Sequence, residues 1–111
     1  MSLDFYLIKN LDNGKKEYVF ETNITHNLNR MADAAGIYGC LWRPDENDFH
    51  TAADVIPVLR AGLCKLVSDP SYYKKFDAEN GWGLYVHFVP FCINVLEACM
   101  ANLDAEIEVC R

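Results

Sequence analysis

The sequence predicts an α+β fold: a small antiparallel or mixed sheet, formed by an N-terminal hairpin and a C-terminal strand, packed against three to five helices. Three observations predict it. Residues 2 to 9 alternate with the period of a strand. The middle of the chain shifts to the 3.6-residue period of amphipathic helices, and residues 105 to 110 return to alternation.

In the first strand Leu3, Phe5 and Leu7 share one face, with Asp4, Tyr6 and Ile8 on the other. Asp12-Asn13-Gly14 supplies residues that tolerate a positive φ, and residues 17 to 21 resume β-favouring side chains, so a hairpin is expected. From Ile24 the spacing of Ile24, Leu28, Met31 and Ala35 predicts a helix, capped by Asn23 or Thr25 and ended by Gly36. Residues 37 to 42 read as a further helical turn closed by Arg43-Pro44, with a polar loop over 44 to 50. Ile56, Leu59, Leu63 and Leu66 predict a helix over about 52 to 67. Thr51 and Asp54 have the spacing of a capping box, but that start places Pro57 inside the helix. The preferred start therefore takes Asp54 as the cap and leaves Pro57 in the first turn.

Asp69-Pro70 stops this helix and opens a short one through Phe76. After a loop over 79 to 83, a last helix is expected over 84 to 102. Its buried stripe is Tyr85, Phe88, Cys92, Val95 and Cys99, and a kink is expected near Pro90. The alternation of Ile107 and Val109 with Glu106 and Glu108 gives a terminal strand that should join the hairpin, because two strands alone are marginal.

The 111 residues suit one domain, and a composition 51% apolar and 23% charged is that of a folding chain rather than a disordered one. No apolar run is long enough to span a bilayer, and an acid follows closely on the start where a signal peptide carries bases. A cytoplasmic protein without membrane attachment is expected. The five cysteines form no C-x-x-C pair; Cys64, Cys92 and Cys99 fall among apolar residues and read as buried free thiols. No cofactor is implied. Sixteen acids against ten bases argue against direct nucleic-acid binding, which is driven by clustered Lys and Arg.

Three polar-aromatic clusters are candidate ligand-binding positions. Asn23, Thr25, His26 and Asn27 lie at a strand-to-helix junction, where free N–H groups favour an anion or a carbonyl oxygen and His26 is expected to be neutral. Those residues also serve as ordinary caps. Trp42 and Arg43 set a guanidinium beside an indole, fit either to grip an anion or to plug the core and pair with a surface acid. Asn80 and Trp82 sit in Asn80-Gly81-Trp82-Gly83, a segment that allows close backbone approach or simply anchors a loop. His50 and His87 read as solvated.

The segments Asn23-Ile24-Thr25-His26-Asn27-Leu28-Asn29-Arg30-Met31-Ala32, Ala35-Gly36-Ile37-Tyr38, Leu41-Trp42-Arg43-Pro44 and Asn80-Gly81-Trp82-Gly83 resemble a family of small bacterial and bacteriophage proteins. The likeness continues through residues 104 to 109 and departs at Cys110 and around residues 47 to 50. It implies membership and carries no activity, cofactor or partner with it.

The reading favoured by the residues is a non-enzymatic protein that binds a small ligand or another protein, with the three clusters meeting where strands pass into helices. One rival is a small hydrolase or metal-dependent enzyme using His26 with Asn27 and an acid such as Asp48. The other is a phage-type inhibitor presenting acidic faces to a basic host protein. A site shared by His26, Arg43 and Trp82 requires these side chains to meet around one hollow.

Overall fold

The computed structural model describes residues 1–111. Strands β1 (Ser2–Asn10) and β2 (Lys16–Thr25) form an antiparallel hairpin, and β3 (Glu106–Cys110) pairs antiparallel with the other side of β1, giving the order β2-β1-β3. The helices are α1 (Asn29–Ala34), α2 (Tyr38–Trp42), α3 (Ala52–Ser68), α4 (Pro70–Tyr73) and α5 (Tyr85–Ala101), with 3₁₀ turns at His26–Leu28, Pro44–Glu46 and Lys74–Phe76. The predicted α+β class and the joining of the terminal strand to the hairpin both hold. No helix is long and apolar enough to cross a membrane.

One core unites sheet and helices. Leu3, Phe5 and Leu7 of β1 meet Leu28 just before α1, Met31 of α1, Leu59 and Leu66 of α3, and Phe88, Cys92 and Val95 of α5. Each fully buried Leu or Phe contributes about 1.5–3 kcal/mol. The strand period breaks at one place: Leu7 faces Phe20 and Ile8 faces Tyr18, so Val19 is an extra residue in β2. The bulge rotates the strands, and Ile8, expected on the outer face, is 3% exposed. The opposite face of the sheet carries Asp4, Tyr6, Glu21 and Glu108, where Tyr18 Oη donates to Glu108 at 3.1 Å.

The hairpin is longer than its propensities suggest. Thr22 to Thr25 pair with Ser2 to Phe5, so Ile24 is a strand residue and the chain turns helical only at His26. The expected helix start at Ile24 is corrected accordingly, because a ladder of backbone bonds outweighs the local preference of a polar run. α1 ends as expected: Gly36, at φ +78°, donates to Asp33 O at 3.0 Å, and Ile37 N donates to Ala32 O at 2.9 Å. This pair of bonds is a Schellman closure.

The cap of α3 is the second correction. Thr51, not Asp54, is the N-cap; the Asp54 carboxylate turns back to accept from His50 N and Thr51 N, each at 3.0 Å. These two bonds hold the Asp54 carboxyl below the usual carboxylate range. Pro57 is tolerated inside the helix because the carbonyl it deprives of a donor, that of Ala53, belongs to an exposed turn that water can reach. Pro90 stands at the equivalent sixth position of α5, and Val86, whose carbonyl it frees, is 57% exposed. Two burial expectations also change. Cys64 lies on the exposed side of α3, and Tyr85 is half-buried, its hydroxyl donating to Leu66 O at 2.8 Å.

Candidate functional site: a hollow beneath Trp82

The loop between the short 3₁₀ turn and α5 folds back onto the junction of β2 with the helical layer. Asn27 Nδ2 donates to Trp82 O at 2.7 Å, a bond joining residues 55 apart in sequence. Trp82 N donates to Asn80 Oδ1 at 3.0 Å, and Ala78 N donates to Gly83 O at 3.0 Å. At its base the loop is pressed tightly down: Gly83 is buried with φ +117°, and a Cβ there would stand 3.0 Å from Asn27 Cβ and 3.2 Å from Thr25 Cγ2. Only glycine combines that backbone conformation with that approach. The outcome is a Trp82 whose backbone is clamped while its side chain is 71% exposed.

Below Trp82 lies an open hollow of about 780 Å³, lined by Asn23, Thr25, His26, Asn27 and Asn80 together with Met1 and Ser2. That volume falls within the roughly 300–1,000 Å³ of small-ligand sites. Six of the eight predicted positions line it, drawn from the two sequence clusters around residues 23–27 and 80–82. Of the two caps expected, Thr25 holds and Asn23 does not. Thr25 caps the 3₁₀ turn by accepting from Asn27 N at 3.3 Å. Asn23 is instead a strand residue, and its Nδ2 donates to Ser2 Oγ and Asp4 Oδ1.

His26 joins the hollow to the core. Its Nδ1 accepts from Trp42 Nε1 at 2.9 Å, which assigns the proton of the neutral ring to Nε2. Trp42 is itself 2% exposed, stacked on Tyr38 at 5.7 Å and tilted against Phe88 at 6.5 Å. It therefore supports the hollow from behind rather than lining it.

Arg43 does not join the hollow. Its Nη1 donates to Glu46 at 2.9 Å and its Nε to the Tyr38 hydroxyl at 3.3 Å. These partners hold its pKa above the usual arginine value. The Trp42-Arg43 pair is thus a core plug beside a surface ion pair, and the meeting of Arg43 with His26 and Trp82 is corrected. Asp48, the acid considered for His26, lies in the loop after Pro44–Glu46 with its Oδ1 4.0 Å from His50 Nε2.

Sequence reasoning missed three contributors. Ser2 gave no local signal. Gly83 was visible only as one of two glycines around Trp82. His87 read as a solvated residue, yet it lines a second hollow of about 330 Å³ together with Ile24, Leu28 and Trp82. Compared with protein-family models, curated proteins and solved structures, the chain finds no match.

Proposed function

We propose that this chain is a non-enzymatic binding protein whose ligand seats in the hollow beneath Trp82. The observation that carries the reading is the exposed indole on a clamped backbone. Leaving so large an apolar side chain in water forgoes burial energy, whereas clamping its backbone lowers the ordering cost when a ligand covers it. Aromatic anchors of this kind dominate binding energetics at many interfaces. Two of the segments that carry the resemblance, 23–32 and 80–83, meet here.

Binding is favoured over catalysis by the lining. Besides His26 it contributes no acid, base or thiol side chain, and general acid–base chemistry needs partners within hydrogen-bond reach. The His26 ring receives its hydrogen bond from an indole N–H and not from a carboxylate that would stabilise an imidazolium.

Saturation-transfer NMR with a library of small neutral fragments tests the reading, using the intact chain and Trp82→Ala in parallel. The expected result is a set of fragments that bind the intact chain and lose their signal with Trp82→Ala. Fragments that bind both proteins equally, or no binding fragment at all, would overturn it.

A further inference from the structure

We infer that the ligand class is a neutral polyhydroxylated chain, an oligosaccharide long enough to reach both hollows that Trp82 lines. The inference rests on the binding reading above and names what the site would take. Its first support is the position of the indole: Trp82, Asn23 and Thr25 line both the larger hollow and the second one that His87 borders. A ligand lying along Trp82 reaches both hollows, which a chain of rings does and a single ring does not.

The second support is the unused hydrogen-bonding capacity. Internal bonds occupy Asn23 Nδ2, Asn27 Nδ2, Asn80 Oδ1 and His26 Nδ1. The opposite end of each group remains: Asn23 Oδ1 and Asn27 Oδ1 as acceptors, Asn80 Nδ2 and His26 Nε2 as donors. Sugar hydroxyls both donate and accept, so a mixed neutral set matches them. The same set suits a phosphate or carboxylate poorly, since strong anion sites present charged or convergent donors and neither hollow is lined by Lys or Arg. The net charge of −6 further repels an anion.

The third support is shape. A pyranose ring presents a flat face of C–H groups, and the exposed indole is the flat apolar surface on which such a face rests, its π-cloud attracting the weakly positive hydrogens. His87 then borders the neighbouring unit.

An array of immobilised neutral oligosaccharides, alongside sulfated and sialylated ones, tests the inference with the intact chain. Calorimetry on the retained sugars and their monosaccharide units follows. The expected result is retention on neutral chains only, affinity about tenfold or more above that of the single unit, and a loss of about tenfold or more with Trp82→Ala. His87→Ala should weaken the oligosaccharide and leave the monosaccharide unchanged. Both side chains are exposed, so the variants should keep the fold, which circular dichroism verifies. If no neutral sugar is retained while aromatic fragments still bind at Trp82, the sugar class is overturned and the binding reading stands. If a peptide or an anionic sugar binds at Trp82 more tightly than any neutral one, the class is likewise overturned. If nothing binds at Trp82, both fall.

Discussion

Gly83→Ala isolates the clamp that presents Trp82. An alanine at φ +117° lies outside the regions open to L-residues, and such strain costs about 1–3 kcal/mol. Its Cβ would also crowd Asn27 Cβ at 3.0 Å and Thr25 Cγ2 at 3.2 Å, and the nearer contact, at the root of its side chain, cannot swing away. The cheapest relief is for the loop to lift, giving up the Asn27–Trp82 bond, worth about 0.5–1.5 kcal/mol. The smaller of these costs sets the observed loss, so about 1 kcal/mol is expected. That corresponds to a melting point lower by about 4 °C for a domain of this size. Calorimetric unfolding gives the melting point, and ¹⁵N relaxation gives the order of residues 80 to 83, which should fall from rigid values near 0.85 towards about 0.6. A variant with an unchanged melting point and an ordered loop would refute the claim that Gly83 seats Trp82.

Four further outcomes are expected. Native thiol titration should modify Cys64 and Cys110 rapidly, because they are exposed, and reach all five only on unfolding. Burial pushes Cys40 up to about 12 and Cys99 up to about 11, which withholds the reactive thiolate; three or more fast thiols would contradict this. Asp54→Asn should flatten the acid limb of the stability curve. The Asp54 pKa is held below 3.8 in the fold, so its stabilisation is complete above that value and fades as pH falls through the lower one; an unchanged acid limb would count against the capping box. Removing residues 105 to 111 takes away β3 and the Ala105 carbonyl that receives Ala52 N at 2.9 Å, so the protein should lose cooperative unfolding or aggregate. A truncated monomer that melts normally would sink this account of the sheet. Arg43→Lys should leave both the melting point and binding at the hollow unchanged, since the guanidinium holds only a surface acid and a hydroxyl; a marked loss of binding would bring Arg43 back into the site.

What was legible in the sequence was what is local. Leu3, Phe5 and Leu7 announce β1, Gly36 announces the end of α1, and Asp69-Pro70 announces α4, because each signal acts within a turn or two of chain. The misreadings involve competition between local preference and distant structure. Asn23 and Ile24 look like a helix start but are drawn into β2 by pairing with Asp4 and Leu3. Pro57 looked too costly for a helix interior because the exposure of the Ala53 carbonyl depends on how α3 packs. Cys64 fits an apolar spacing yet falls just off the buried stripe of Leu59, Leu63 and Leu66. The two halves of the candidate site were each marked by unusual polar-aromatic composition. Their meeting rests on Asn27 reaching Trp82 O across the fold, which no periodicity encodes. Arg43 was misplaced for the complementary reason: its neighbour Trp42 reaches His26 from the core side, while Arg43 itself turns to Glu46.

The central claim is that Trp82 and the junction beneath it form one binding surface. The most direct test maps ¹H–¹⁵N chemical shifts of the intact chain while a bound fragment or sugar is titrated to saturation. The account predicts that the Trp82 indole N–H and the amides of residues 23 to 27 and 80 to 83 move together along one saturation curve, with the β3 amides of residues 106 to 110 unmoved. Shifts centred on β3 or on Arg43, with Trp82 still, would contradict it.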